Sequence, residues 1–499
     1  MTSTFTSLET MRRALFTSQL SIQTTGHNIA NAGTDGYSRQ RVNLETTLPY
    51  PSVGFNRPQI PGQIGTGVQA STIERIRDSF VDTQVRQEMT KTGYWSARSD
   101  ALSQMEDIMN EPTDQSLSTV INQFWQSLQD LASNPDNNSG ARSVVRQRGI
   151  AVAETFHYLS SSLAKVQDNL KTEIGVNIDK VNSLIRQIND INKQIAEVEP
   201  NGYSPNDLYD KRDQLVDELS QYVNVKVIQE KTGGNAPATA AGTYTIQLIA
   251  RNDAGVSSVF TLVDGKNLRV NPMKVDFSGT SPSLTIDGKI VTETGGNIQG
   301  LMESYTVDYP NMLDRLNQMA YQLVTEFNKV HEQGDGIDPD GTGTIPTGID
   351  FFTPLASADN AASLISVSQD ILDSVNNIAA AGKGMGSGDN TNAQALADVL
   401  ANTPMTFTMK NGDTYKGTFK SFLESTIGEM GVNAQSANRM KANCQTLQDT
   451  AEQRRQSISG VSIDEEMTNL IQFQHTYSAA ARMTSIINEM LDTIIRLGQ

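Results

Sequence analysis

The chain has 499 residues and a formal net charge of −17, with 37% hydrophobic and 6% aromatic residues. Such an acidic balance makes nucleic acid and anionic membrane surfaces poor partners, so we expect neither. The single cysteine, Cys444, excludes an intrachain disulfide. No apolar run approaches the ~20 residues of a membrane-spanning helix, and we expect no cleavable secretory signal, because the N-terminus lacks a basic start followed by an apolar block.

The first predicted element is a long N-terminal helix with a heptad pattern. Its apolar residues alternate steps of three and four, which predicts a coiled-coil seam with small polar residues at some positions. The seam positions are Leu8, Met11, Leu15, Ser18, Ile22, Thr25 and Ile29.

The stretch "NIANAGTDGYSRQRV" (28–42) follows this seam. We predict that the helix is capped at Gly33 and that the chain turns through Gly36. Residues 39–80 contain four prolines and "GTGV" at 65–68, which indicates an extended arm and a hairpin. We expect Tyr37 to anchor this arm, and Arg39 and Arg41 to face an acidic surface of a partner.

Residues 94–222 are predicted to be helical, with a break at "NPDNNSG" (134–140). Alternation of period two replaces the helical pattern from about 225 to 295. Asp-Gly pairs at 264–265 and 287–288 predict hairpin turns within this β segment. Helix returns over 298–332 and passes Pro310, and a loop-rich segment with a hairpin turning at Asn411 and Gly412 follows.

Residues 421–499 are helical again, and the last helix is predicted to begin with Ser462 as N-cap and Glu465 at the third helical position. Its apolar stripe keeps the same alternation of three and four. The stripe consists of Leu470, Phe473, Tyr477, Ala480, Thr484, Ile487, Leu491 and Ile494.

These patterns predict a mainly α fold with an inserted β domain, in which elongated domains are nested and the two chain ends meet. The terminal helices form an inner coiled coil, a long helical bundle forms the rod, and the small β domain faces outward. The predicted domains are 1–60 plus 462–499 (coiled coil and arm), 61–224 plus 298–332 plus 421–461 (rod), 225–297 (β insertion), and 333–420 (mixed segment on the rod).

No pattern in the sequence supports catalysis, a cofactor or a metal ion. The four histidines stand singly, without a second ligand at helical spacing. The stretch "GDGIDPDGTG" (334–343) lacks the glutamate that closes a calcium-binding loop, so a polar turn is the better interpretation. The stretch "GKGMGSGD" (382–389) matches no phosphate-binding motif and is interpreted as a flexible linker.

Both chain ends resemble a known family. "ANAGTDGYSRQRV" (30–42), followed by "GTGV" and "IERIRDSFVD" (73–82), resembles the segment after the first helix of the bacterial flagellar rod and hook axial proteins. The C-terminal stretch from "SGVSIDEEM" onward is similar to the last helix of that family. Within it, the long helical middle and "GGNIQGLMESY" (295–305) resemble its hook-associated members.

This resemblance implies a structural protein at the joint between flagellar hook and filament, exported through the flagellar type III apparatus. It implies a short helical layer of copies of this chain, with hook protein on one side and a second junction protein on the other. It also implies a cytosolic chaperone that holds the C-terminal helix before export, and no catalytic activity.

The patterns themselves also favour a polymer, because isolated helices of this length are marginal in water and gain stability from neighbours. We therefore predict an assembly interface formed by the apolar positions of both terminal helices. It further includes Asn31, Thr34, Gly36, Tyr37, Arg39 and Arg41. Two other classes stay open: a different secreted fibre or tail protein with terminal coiled coils, and a flagellum-associated wall hydrolase.

Overall fold

The computed structural model describes residues 4–51, 62–109, 116–133, 139–252, 254–279, 281–338 and 345–497. The fold is mainly α, as predicted, with 62% of the residues in helices. The helices are α1 (Thr4–Ala30), α2 (Ser79–Met109), α3 (Leu117–Ser133), α4 (Ser139–Val198), α5 (Asn206–Tyr222), α6 (Gly296–Glu303), α7 (Tyr309–His331), α8 (Ala361–Leu364), α9 (Gln369–Asp373), α10 (Thr391–Ala401), α11 (Phe419–Ser459) and α12 (Ile463–Leu497).

Helix α4 is the longest helix of the rod. It contains 60 residues, which at 1.5 Å per residue makes it about 90 Å long. Its apolar face, including Phe156 and Ile185, is buried against α3, α5, α7 and the sheet described below. Helix α2 packs against α11 on one side and α6 on the other. The predicted break between α3 and α4 lies largely at 134–138, outside the described residues.

The strands fall into one larger sheet and three small hairpins or pairs. They are β1 (Gln40–Thr46), β2 (Val68–Arg75), β3 (Val225–Glu230), β4 (Thr243–Asn252), β5 (Ser257–Asp264), β6 (Arg269–Val270), β7 (Met273–Asp276), β8 (Ser283–Ile286), β9 (Lys289–Thr292), β10 (Gly334–Asp335), β11 (Ala381–Gly382), β12 (Met405–Thr408) and β13 (Thr414–Gly417).

The larger sheet lies in the predicted β insertion and has seven antiparallel strands in the order β6-β5-β4-β9-β8-β7, with β3 also paired to β4. Asp287 and Gly288 both have positive φ, 51° and 71°. This is the geometry of the tight hairpin turn that the Asp-Gly pair predicted between β8 and β9. Buried residues of the sheet, such as Ile246 and Leu262, share one hydrophobic cluster with the rod helices.

The chain passes Pro310 without leaving the helical path. Residues Ser304–Asp308 between α6 and α7 form a π-helical turn, and the amide of Tyr309 donates to the carbonyl of Ser304. A proline inside a helix lacks its N–H and crowds the carbonyl four residues before it. The wider π turn just before Pro310 relieves this crowding, so α6 and α7 continue as one path.

Helices α8 and α10 of segment 333–420 contact the rod helices α3, α4 and α7. Its hairpin β12–β13 turns at Gly412, whose φ is 93°. The loop at 382–389 is an ordered turn rather than the predicted flexible linker, because the amides of Gly382 and Gly384 donate to the carboxylates of Asp389 and Asp335. Residues 339–343 of the predicted polar turn at 334–343 lie outside the described ranges.

Candidate assembly interface

The two ends of the chain meet in a pair of helices, as predicted. Helix α1 packs along α12, and Asn28 in the last turn of α1 donates a 3.0 Å hydrogen bond to Glu466 in the first turn of α12. The helices are therefore antiparallel. Ala480 and Ile487 of α12 are buried in this pair, with 6% and 3% of their surface exposed.

Most other predicted seam positions are only partly covered by the partner helix. Tyr477 and Ile494 retain exposures of 40% and 56%. The partly buried positions are Leu8, Met11, Leu15, Ile22, Ile29, Leu470, Phe473 and Leu491. One chain thus covers part of the predicted apolar surface, and contact between subunits at these positions stays a prediction.

A second apolar stripe runs beside the seam on α12 and meets it at Ile494; its other three residues, Met483, Ile486 and Met490, were not predicted. Met483, Ile486, Met490 and Ile494 follow one another at spacings of three, four and four residues. Their exposures are 45%, 47%, 46% and 56%. At 3.6 residues per turn this spacing places them on one face of the helix. Single exposed apolar residues are ordinary, but a continuous stripe marks an interaction surface.

The buried face of α1 is polar beyond the two small seam residues, Ser18 and Thr25, that the heptad pattern predicted. The hairpin β1–β2 and α12 both pack on this helix. The buried residues are Thr17, Ser18, Ser21, Thr24, Thr25 and Asn28. Hydroxyls of Ser21 and Thr24 donate to carbonyls four residues earlier, at 3.0 Å each. Their hydrogen-bonding needs are thus met within the helix, so small polar side chains can be buried without a large penalty.

The elbow, residues 31–37, turns the chain from α1 into the hairpin. The side chain of Asn31 donates to the carbonyl of His27 at 3.0 Å, and the hydroxyl of Thr34 donates to Asn31 at 3.2 Å. Gly36 has φ of 74°, as its predicted turn requires. The predicted left-handed cap at Gly33 is wrong, because positive φ occurs at Gly36 in this loop and not at Gly33.

Tyr37 anchors the elbow to the end of α1. Its hydroxyl donates to the amide oxygen of Asn28 at 2.7 Å and lies 3.0 Å from Nδ1 of His27. Burial, together with the nearby carboxylates of Asp210 and Asp207, raises the pKa of the Tyr37 hydroxyl. The hydroxyl therefore stays protonated and remains a donor to Asn28.

Both arginines of the arm find their carboxylates within the same chain. Arg39 contacts Glu466 at 2.7 Å and Glu465 at 2.9 Å, and Arg41 contacts Glu74 on the paired strand at 2.8 Å. The expectation that these charges face an acidic surface of another subunit stays a prediction. The contact with Arg39 also gives Glu465 a partner that the capping pattern did not predict.

A buried network of charges joins the arm to the rod, and we call it the joint cluster. It contains four arginines and four aspartates, contributed by β2 and the residues after it, α2, α5 and α11. The members are Arg75, Arg77, Asp82, Arg86, Asp210, Asp213, Asp217 and Arg455. The four cations and four anions balance one another, which is the condition under which charges can be buried. Arg455 has a further, partly exposed partner in Glu452 at 2.6 Å.

Asp213 is the centre of the joint cluster and is 2% exposed. Its oxygens lie 2.9 Å from Arg75, 3.2 Å from Arg77 and 3.3 Å from Arg86. Burial alone would raise the pKa of this carboxyl, but the surrounding arginines outweigh burial and hold the pKa well below its usual range. The carboxylate is therefore ionised and fixes three cations at once.

The sequence shows part of this cluster in the spacing of its charged residues. Asp210, Asp213 and Asp217 are spaced by three and four residues on α5, so they lie on one face of the helix. Arg75 and Arg77 follow each other at a spacing of two, 133 residues or more earlier in the chain. Neither spacing indicates that these aspartates and arginines bind each other.

No metal or nucleophile site emerges from the described residues. No group of three or more His, Cys, Asp or Glu side chains within them is arranged to hold a metal ion. Cys444 is buried, and burial raises the pKa of its thiol. His331 is also buried and is a structural residue of the protein interior. In the part of the chain that the structure describes, no helix is long and apolar enough to cross a membrane.

Comparison with known proteins agrees with this architecture, in which a pair of terminal helices is joined to a helical rod. Residues 102–352 match the family described as "Flagellar hook-associated protein FlgK helical domain". The chain is 44% identical to flagellar hook-associated protein 1 of Bacillus subtilis (strain 168), over 99% of this chain and 98% of that protein. The chain belongs to the family of flagellar hook-associated protein 1, FlgK. It is a structural flagellar protein and not an enzyme.

More distant relatives extend the comparison. Flagellar hook-associated protein 1 of Escherichia coli (strain K12) is 25% identical over 96% of this chain and 97% of its own length. Residues 452–497 match the C-terminal family of the basal body rod FlgEFG proteins. The structure of the flagellar hook junction protein FlgK from Burkholderia pseudomallei superposes with a TM-score of 0.57 at 15% identity, covering 76% of this chain and 100% of that one. This likeness confirms the fold.

Proposed function

We propose that this chain forms a short helical layer at the junction between flagellar hook and filament, held together by its terminal coiled coil. Membership of the hook-associated protein 1 family makes it a structural component of the flagellum. In the proposed layer α1 and α12 line the inner tube and the rod forms the next shell. The seven-stranded sheet lies outside, and the layer adapts hook to filament so that the filament can be built.

The exposed second stripe on α12 carries this proposal. A monomer leaves Met483, Ile486 and Met490 nearly half exposed on one helix face, next to a seam that is already occupied by α1. Burying such a stripe against a neighbouring copy removes apolar surface from water, worth roughly 25 cal/mol per Å². A repeated contact of this kind between identical subunits produces a helical layer.

The stripe can be tested with a matched pair of double variants on α12. I486D with M490D places two charges on the second stripe, whereas S485D with T493D places two charges at exposed polar positions of the same helix. We expect the first variant to lose addition to isolated hook ends, seen by electron microscopy, while its circular dichroism and melting match the parent. Normal addition of the I486D and M490D variant would contradict the proposal.

Removing residues 465–499 tests the terminal helix as a whole. The rod helices and the sheet share a hydrophobic cluster that contains no residue of α12. We therefore expect a truncated protein that is still folded in its middle but does not add to hook ends. Unimpaired assembly of the truncated chain would refute the role of the coiled coil.

The neighbours along the axis are also part of the proposal. We propose hook protein on one side of the layer and the second hook–filament junction protein on the other, with copies of this chain as lateral neighbours. The hairpin β1–β2 supports this, since Leu48 just beyond β1 is 85% exposed and Tyr50 is 53% exposed. A photo-reactive amino acid at Leu48 is expected to cross-link to an adjacent subunit in assembled hooks but not in the free protein.

The route to the flagellum completes the proposal. We propose export through the flagellar type III apparatus without a cleaved signal, with a cytosolic chaperone covering the C-terminal helix beforehand. An amphipathic helix with exposed apolar stripes suits a groove on such a partner. Calorimetry should show that the flagellar chaperone of the same organism binds residues 463–497, and that it binds them more weakly when they carry I486D and M490D. Equal binding of the two forms would refute the proposed contact between the chaperone and this helix.

A further inference from the structure

Arg39 lies where four segments of the chain cross. Its backbone amide donates to the carbonyl of Ser459, the last residue of α11, at 2.9 Å, and its carbonyl accepts from the amide of Ile76 at 2.8 Å. Its guanidinium Nε donates to Oε1 of Glu466 at 2.7 Å. The same residue thus holds the end of α11 and the start of α12.

Glu466 is the counterpart of Arg39 and is almost completely buried, with 2% of its surface exposed. Its two oxygens bind different segments, because Oε1 accepts from Arg39 and Oε2 accepts from Nδ2 of Asn28 at 3.0 Å. The orientation of the Asn28 amide is fixed, since its oxygen accepts from the amide of Gln40 at 3.0 Å and from the hydroxyl of Tyr37 at 2.7 Å.

These contacts span a short bend in the chain. Only residues 460–462 separate α11 from α12, and Gly460 is extended with φ of −72° and ψ of 157°. A groove of about 1170 Å³ lies beside the bend, lined by the bend itself, the elbow and α5. A three-residue connection next to open space does not by itself hold two helices at one angle.

We propose that Asn28, Arg39 and Glu466 form a clasp that sets the angle between α11 and α12. Because α11 belongs to the rod and α12 to the coiled coil, the clasp positions the coil for assembly. The three residues are positioning residues, since they act through the orientation of α12 and its second stripe. The consequence for assembly rests on the proposed function, whereas the fixed angle is a property of the free chain.

The chemistry of the clasp predicts distinct behaviour for two isosteric variants. E466Q keeps the shape but places an NH₂ group against either the Arg39 guanidinium or the Asn28 amide, so a donor faces a donor. N28D keeps the bonds that Asn28 Oδ1 accepts from the backbone amide of Gln40 and the hydroxyl of Tyr37. It loses the bond that Nδ2 donates to the carbonyl of Gln40 at 2.8 Å and places a second carboxylate against Glu466. Two carboxylates in contact share a proton when the pH falls, because one of their pKa values is raised.

The angle can be measured by electron paramagnetic resonance distances between spin labels at Thr446 on α11 and Thr476 on α12, both exposed, in a full-length Cys444→Ala background. We expect a narrow distribution for the parent at pH 8 and at pH 5. The distance distribution of E466Q should be broad at both pH values. That of N28D should be broad at pH 8 but narrow again at pH 5. Amide exchange in the first turns of α12 should become roughly 10- to 100-fold faster in E466Q, as for loss of a hydrogen bond to a charged group.

E465Q is the matched control, because Glu465 also contacts Arg39 but its side chain is 62% exposed. We expect a narrow distribution for this variant. A parent-like distribution in E466Q, a broad one in E465Q, or the absence of recovery of N28D at pH 5 would each overturn the clasp. If E466Q gives a broad distance distribution yet the protein still adds normally to hook ends, the positioning role of the clasp is refuted while the proposed function stands. A failure of the proposed function would appear separately, as normal addition of the variant that carries I486D and M490D.

Discussion

Replacement of Asp213 by asparagine tests whether the joint cluster stabilises the connection between arm and rod. D213N preserves the shape of the side chain but removes the charge that Arg75, Arg77 and Arg86 share. The cluster changes from four cations and four anions to four cations and three anions. Removing one partner of a buried ion pair costs about 3–5 kcal/mol, since an uncompensated charge remains in the interior.

The same cluster predicts a pH dependence with a definite sign. The pKa of Asp213 is lowered in the folded chain, so this carboxylate stabilises the fold fully above the ordinary aspartate pKa of about 4. Its contribution is lost as the pH falls from about 4 toward the lowered pKa, because only the unfolded state takes up the proton there. The difference in free energy of unfolding between the parent and D213N is therefore expected to become smaller below about pH 4.

Urea unfolding at pH 7, followed by circular dichroism, measures this loss. E218Q is the matched control, because Glu218 lies on the same helix but its contact with Lys180 is exposed, at 39% and 44%. A surface pair of this kind contributes at most about 1 kcal/mol. If D213N is destabilised no more than E218Q, the joint cluster does not hold arm and rod together.

Three further predictions concern a histidine, a glycine and an isoleucine. Burial lowers the pKa of His331 to about 4; its Nε2 accepts from the amide of Ala379 and its Nδ1 contacts the carbonyl of Ile349. The free energy of unfolding should fall by about 3 kcal/mol as the pH drops from 6.5 to 4, because only the unfolded state takes up the proton in this range. Gly36→Ala should cost at least about 1–2 kcal/mol, because φ is 74° there and because a Cβ would also collide with the side chain of Gln214. Ile487→Ala should cost the α1–α12 pair about 2–5 kcal/mol, since Ile487 is 3% exposed, and amide exchange over α12 should accelerate.

Each of these predictions has an internal control. In the parent, the protection factors of the amides around Ile349 and Ala379, which are corrected for intrinsic exchange at each pH, should fall between pH 6.5 and 4. In a His331→Asn variant they should stay unchanged over this range, and persistence of the fall would contradict the role of the ring. Gly33→Ala should leave thermal unfolding unchanged, as nothing lies near a Cβ built there. Ile494→Ala should leave exchange over α12 unchanged in the free protein, because Ile494 is 56% exposed. Equal effects within either pair would refute the assignment.

Local patterns in the sequence were sufficient for the helices, the turn at Asp287 and Gly288, and the pairing of the chain ends. Heptad spacing acts over a few turns of one helix, and an Asp-Gly turn depends on the φ values that two neighbouring residues can adopt. The family resemblance also came from short motifs near the two ends. The helices and the turn are features that a sequence encodes within ten residues or so of each other. The pairing of the chain ends was inferred because both terminal helices carry an apolar stripe of the same spacing.

Only the tertiary structure decided which polar groups meet. Glu466 lies 438 residues from Asn28, and the spacing of aspartates on α5 does not say which arginines they bind. Charge and hydrogen-bond complementarity is not periodic, so it leaves no pattern along the chain until folding brings the segments together. The same reason explains the buried polar face of α1 and the second stripe of α12. The sequence alone determined the helices and the meeting of their ends, and packing decided which face of each helix is covered.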